Sequence, residues 1–178
     1  MTAPAAVLIG PPGAGKSTVG PLLAERLGTG FRDTDADVAE AAGQPVSDIF
    51  IEQGEQAFRD LERAAAARAL NNRESGVIAL GSGAVLDAGT QRLLDGLRVV
   101  YLSADFGTIA RRLGLDRPRV VIPGNPRGRL RAMLTERLPL YERLATVTVT
   151  TDDADPDGLA AQIAAELAEL AELETRRE

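Results

Sequence analysis

Short apolar runs alternate with amphipathic segments along the whole chain. Residues 5–9 form a continuous apolar run ending in Gly10, the pattern of a strand buried on both faces. Residues 77–80 and 99–102 repeat it, 147–149 is a shorter version, and 29–34 is a weaker strand. Between these runs the period changes to that of helices. Residues 17–27 predict a helix closed by Gly28, and 35–42 and 46–53 predict two short helices separated by Gly43-Gln44-Pro45. A longer helix is expected over 55–70, with Phe58, Leu61, Ala65 and Ala69 on one face. Further helices are expected over 105 to about 113 and 129 to about 143, the latter bent or ended by Pro139. The last, 159–173, places Leu159, Ile163, Leu167, Leu170 and Leu173 on one face and reads as a helix packed on the sheet rather than a dimer seam. Residues 115–128, rich in Pro, Gly and Arg, read as a mobile loop, and 175–178 as a frayed end. The alternation predicts an α/β fold with a mostly parallel sheet covered by helices on both faces. With no internal repeat and no long linker, one domain over 1–178 is expected.

Composition narrows the chemistry. The net charge of −6 suits neither nucleic acid nor an anionic membrane surface. There is no cysteine and no histidine, which removes thiolate nucleophiles, His bases and His or Cys metal sites. The remaining tools are carboxylates, Arg, Lys, hydroxyls, backbone amides and a hard metal. Missing cysteines fit a reducing cytosol, and the first residues carry no basic stretch and no apolar run of spanning length, so a cytoplasmic protein is expected. Lys16 is the one lysine against 19 arginines. A compact ammonium on a flexible stem suits a phosphate-threading position where a planar fork does not.

Lys16 lies in Gly10-Pro11-Pro12-Gly13-Ala14-Gly15-Lys16-Ser17, which matches G-x-x-x-x-G-K-[ST] between an apolar strand and an amphipathic helix. Backbone N–H groups from Gly10, Gly13, Ala14 and Gly15 would make an anion nest at the helix N-terminus. Lys16 would reach the β- and γ-phosphates of ATP, Ser17 would ligate Mg²⁺, and Thr18 would support the α-phosphate side. Asp33-Thr34-Asp35 follows at the carboxyl end of the second strand, where a period of two puts both carboxylates on one face. One is expected near the metal; the other would take the proton of an acceptor hydroxyl. The plainer reading makes these residues a helix cap and a solvated turn. Arg59 and Arg137 are candidates for holding an acidic acceptor. Nine arginines fall between 111 and 143, against the sign of the whole chain, and suit a lid that closes over phosphates.

These residues resemble the shikimate kinase family. The resemblance covers Ala5 to about Pro156 and is carried by the phosphate loop, Asp33-Thr34-Asp35, Gly54-Glu55-Gln56-Ala57-Phe58-Arg59, Gly81-Ser82-Gly83-Ala84-Val85, Arg117-Pro118 and Arg137-Leu138-Pro139-Leu140-Tyr141. It implies a P-loop kinase fold with five parallel strands, the phosphate-loop strand central, a substrate-binding helical part at about 35–61 and a lid at about 114–124. It implies transfer from ATP to the 3-hydroxyl of shikimate, a step toward the aromatic amino acids. Asp35 would contact the shikimate hydroxyls, Arg59 and Arg137 its carboxylate, and Gly81, Ser82 and Gly83 would offer backbone N–H groups. Lid Arg117 would meet the transferring phosphoryl group, Asp33 would lie near Mg²⁺, and 151–156, ending in Pro156, resembles the loop that contacts adenine. A monomer acting on a small molecule is expected.

Two positions depart from the family. Ser82 stands where three successive glycines are usual; serine keeps the N–H, tolerates positive φ poorly and adds a side chain beside the acceptor. The lid reads Arg117-Pro118-Arg119-Val120, where two leucines usually follow Arg-Pro. Other readings of the residues remain a gluconate or nucleotide kinase, a nucleotide-binding regulator without turnover, and a nucleic-acid-dependent ATPase, the last disfavoured by size and charge.

Overall fold

The computed structural model describes residues 3–71, 76–116 and 125–176. The expected lid from 117 to 124, Arg117 included, lies outside the described residues.

Five parallel strands form one sheet in the order β2-β3-β1-β4-β5, namely Phe31–Asp33, Val77–Ala79, Ala6–Ile9, Val99–Ser103 and Val147–Thr150. The central strand, β1, is buried throughout because its alternate residues enter different cores. Ala6 and Leu8 join α1 (Lys16–Arg26) and α8 (Pro156–Thr175) on one face. Val7 and Ile9 join α4 (Gly54–Asn71), α5 (Ala88–Leu94) and α7 (Pro126–Leu144) on the other. Each fully buried Leu, Ile or Val removes enough apolar surface for about 1.5–3 kcal/mol, which is why the continuous runs read from the sequence become central strands. A third cluster, Val38, Ile49, Phe58 and Ala65, ties α2 (Thr34–Ala42) and α3 (Val46–Glu52) to α4 beyond the sheet edge. In the last cluster, α6 (Phe106–Arg112) packs on α7 through Ile109, Ala110, Leu130 and Leu134. Among the described residues no helix is long and apolar enough to cross a membrane.

The predicted elements are present with three differences. Pro139 does not end its helix: α7 runs on to Leu144, and it starts earlier than expected because the Asn125 side chain accepts from Gly128 N at 2.8 Å and Pro126 occupies the first turn. The pattern gave no sign of α5, whose seven residues include Gly89 and little apolar periodicity; Asp87 starts it by accepting from Thr90 N at 2.6 Å. Thr34, expected to end the strand, is instead the first residue of α2.

The fold gathers the sequence motifs at the carboxyl ends of β1, β2 and β3. Neighbours of β1 lie to both sides of it, so the crevice opens beside the loop that follows β1.

Candidate active site

The phosphate loop closes because its glycines adopt conformations and approaches that other residues resist. Gly10 lies so near β4 that a Cβ there would sit 2.5 Å from the Leu102 carbonyl oxygen. Gly15, at φ 100°, starts α1 from the left-handed region. The Lys16 Nζ donates to the carbonyls of Gly10 at 2.8 Å and Pro11 at 3.1 Å, which places the ammonium over the loop. Burial lowers the Lys16 pKa to about 8 against the opposing pull of Asp35 and Asp33.

A cavity of about 530 Å³ opens over this loop. Gly13, Ala14, Gly15, Lys16, Ser17 and Thr18 form its floor, with Asp33 and Asp35 at one end and Arg112, Thr151 and Pro156 at the other. The Arg112 guanidinium donates to Gly13 O at 3.0 Å, Thr151 Oγ1 at 3.0 Å and Thr151 O at 2.6 Å. Thr151 Oγ1 in turn donates to Ala14 O at 3.0 Å, so α6 and the loop after β5 are bolted to the phosphate loop.

The two aspartates converge by a different device from strand alternation. Asp33 ends β2 and caps α2, its Oδ1 accepting from Asp35 N at 3.0 Å and its Oδ2 accepting from Ser17 Oγ at 2.6 Å. Two hard oxygens, from Ser17 and Asp33, thus lie together beside the loop. That donor set fits Mg²⁺, which takes one or two protein oxygens and completes its shell with phosphate oxygens and water. Among the described residues no group of three or more His, Cys, Asp and Glu could hold a metal by itself, so such an ion would depend on the nucleotide.

Asp35 stands where two cavities meet. It lines the nucleotide cavity and also a second of about 240 Å³, walled by Phe50, Phe58, Arg59, Ser82, Met133 and Arg137. The residue is exposed overall, but its carboxyl end faces the turn after β3, where a Cβ on Gly81 would lie 2.6 Å from Oδ1. Desolvation of that end, then the nearby Asp33 charge, pushes the Asp35 pKa up to about 6 despite Lys16.

Two guanidinium groups line the second cavity. Arg59 donates to Glu62 Oε2 at 2.7 Å and to Glu55 Oε1 at 3.4 Å. Glu62 is buried, and its Oε1 also accepts from Gly83 N at 3.2 Å. Arg137 is buried on α7, donates through Nη1 to Ser82 Oγ at 3.3 Å, and has an Nε without a partner. Below it, the Tyr141 hydroxyl donates to Ser82 O at 2.6 Å. Gly81 N donates to Thr34 Oγ1 at 2.9 Å, which fastens the turn to α2.

The Gly81-Ser82-Gly83 turn corrects one expectation. Neither glycine has positive φ, and the one such non-glycine among the described residues is Asp153, so Ser82 carries no left-handed strain. Glycine on either side leaves space for neighbouring side chains. A Cβ at 81 would press on Asp35 and Glu62, and one at 83 on the Arg59 guanidinium. The Ser82 side chain points elsewhere, to Arg137.

Of the expected site residues within the described part, Gly13 to Thr18, Asp33, Asp35 and Pro156 line the first cavity and Asp35, Arg59, Ser82 and Arg137 the second, while Gly10, Gly81 and Gly83 lie in the turns that support them. Sequence reasoning missed Glu62 and Arg112, and it gave Tyr141 and Thr151 no role of their own although both stand in segments that carry the resemblance. For Glu62 a signal existed: it lies three positions after Arg59 on the same helix, the spacing of a helical ion pair.

The shikimate kinase family matches residues 12–169. The shikimate kinase of Thermobifida fusca is 56% identical over 164 residues, covering 92% of this chain and 95% of the relative. That of Streptomyces coelicolor is 52% identical over 157 residues, covering 88% and 91%. Among solved structures, a shikimate kinase from Acinetobacter baumannii in complex with shikimate superposes with a TM-score of 0.84 at 34% identity, covering 94% of each chain. The P-loop kinase fold expected from the motifs is thus the fold observed, and the chain belongs to the shikimate kinase family.

Proposed function

We propose that the chain transfers the γ-phosphoryl group of ATP to the 3-hydroxyl of shikimate, giving shikimate 3-phosphate and ADP. The observation that carries this reading is the position of Asp35, shared by the phosphate-loop cavity and the two-arginine cavity. A carboxylate at that junction can touch a hydroxyl on one side while phosphates lie on the other.

The nucleotide's phosphates bind over the backbone N–H groups of the loop and compete with the Gly10 and Pro11 carbonyls for the Lys16 ammonium. Ser17 and Asp33 would hold Mg²⁺, which supplies charge neutralisation when bound. Arg112, Thr151 and Pro156 enclose the far end of that cavity, where the base would lie. In the second cavity Arg59 and Arg137 bind the acceptor's carboxylate, and Phe50 and Phe58, with ring centroids 4.3 Å apart, wall its apolar ring. The 3-hydroxyl oxygen attacks the γ-phosphorus, the bond to the β–γ bridging oxygen breaks, and the hydroxyl proton passes to Asp35. Lys16 stabilises the charge on the transferred group. The helical segment α2 to α4 forms the acceptor-binding part, and lid Arg117 is proposed as a further phosphoryl contact.

The test is ADP release with shikimate, gluconate and nucleoside monophosphates, each with and without Mg²⁺. Release that depends on shikimate and on Mg²⁺ is expected. Release driven by gluconate or a nucleotide, or no acceptor-dependent release, would overturn the reading.

A further inference from the structure

The two arginines of the acceptor cavity are held in different ways. Arg59 is clamped by Glu62 and Glu55, so carboxylates already answer its charge. Arg137 makes no ion pair among the described residues; it donates to the Ser82 hydroxyl with the Tyr141 hydroxyl beside it, and its Nε is buried without a partner. A buried guanidinium in that condition is the stronger attractor for an incoming anion, provided that it is aimed. What aims it is one residue, gripped twice by one face of α7. Tyr141, one helical turn after Arg137, donates to the Ser82 carbonyl at 2.6 Å, and Arg137 donates to the Ser82 hydroxyl at 3.3 Å. Burial raises the Tyr141 pKa, so its hydroxyl stays a donor. The Ser82 hydroxyl accepts from Arg137, and its own hydrogen has no acceptor among the described residues.

We propose that Ser82 is a specificity-determining residue, positioning Arg137 through its oxygen and giving its hydrogen to the same acceptor carboxylate. A turn built of three glycines has no side chain to do either. On either side of Ser82 an added Cβ would meet these side chains, Asp35 and Glu62 at position 81 and Arg59 and Glu62 at position 83, whereas the Ser82 hydroxyl reaches Arg137. The inference rests on the acceptor being a carboxylic acid, as in the proposed function.

The test compares dissociation constants of shikimate and of its methyl ester for wild-type protein, Ser82→Ala and Ser82→Gly, together with KM for ATP. Loss of the hydroxyl should weaken shikimate about tenfold, the order expected for a hydrogen bond to a charged group. The ester and KM for ATP should stay within about twofold, so the preference for acid over ester contracts about tenfold. An unchanged preference in Ser82→Ala overturns the inference whatever happens to absolute affinity or stability, because a structural role weakens both ligands alike. Wild-type protein that binds shikimate yet releases no ADP overturns the functional reading instead and leaves the acid-to-ester comparison standing. Wild-type protein that binds neither ligand overturns both.

Discussion

At the scale of single residues, the site is governed by two groups whose ionisation has moved toward neutrality from opposite directions. Asp35 must be ionised to take a proton, and Lys16 must be protonated to hold phosphates. With Asp35 raised to about 6 and Lys16 lowered to about 8, both conditions hold together only between those values. The pH dependence of kcat/KM for ATP should therefore be bell-shaped, with a rising limb near 6 and a falling limb near 8, while kcat/KM for shikimate at saturating ATP keeps the rising limb. Asp35→Asn should lower kcat by about 10²–10⁴ and abolish the rising limb, with ATP binding retained. The same shift has a consequence for stability. A carboxyl whose pKa is raised from 3.8 to about 6 in the folded state favours folding most when protonated, and that contribution is lost as pH rises through about 6. Asp35→Asn should accordingly raise the melting temperature at pH 8 and leave it unchanged below about pH 4. Rate profiles and melting curves that ignore the substitution would remove Asp35 from its assigned role.

At the scale of elements, the turn after β3 is the part on which the acceptor cavity depends most. Its three residues are fastened to three helices: Gly81 N to Thr34 on α2, Gly83 N to Glu62 on α4, and Ser82 to Arg137 and Tyr141 on α7. Small changes here should leave the fold intact while displacing the site. In Gly83→Ala the new methyl group would meet the end of the Arg59 side chain and, at 3.0 Å, the buried Glu62 carboxylate with which Arg59 pairs. The guanidinium it displaces is one of the two that face the acceptor. KM for shikimate should rise by about tenfold or more, in line with the loss of a charge-assisted contact, while KM for ATP stays close to wild type. A loss of ATP affinity of the same size would mean that the turn serves the whole fold rather than the acceptor side.

At the scale of the molecule, what the sequence disclosed is what is local or periodic. The phosphate loop is one contiguous segment, and β1, β3 and β4 are buried on both faces, so pattern alone identified them. Asp33 and Asp35 were found for partly the wrong reason: their convergence comes from a helix cap, which depends on β2 stopping at Asp33. Arg112 was invisible, and Tyr141 and Thr151 stood in motifs without a role, because the importance of all three is created by distant approaches. Arg112 meets Gly13 across 99 positions, and Tyr141 meets Ser82 across 59. Arginines are common in this chain, and no rule of spacing distinguishes the one that holds the loop. Lysine is the opposite case. Its single occurrence, lining the nucleotide cavity with a pKa near 8, makes Lys16 the sole side-chain amine for an acylating reagent and a more nucleophilic one than a surface lysine. Treatment with an activated ester, read by mass spectrometry, should modify one side chain per molecule, and ATP or ADP should protect it. If nucleotide left the labelling unchanged, that amine would not be under the phosphates. With protection, the protein carries a built-in covalent reporter of its own occupancy, and no engineered tag is needed to read it.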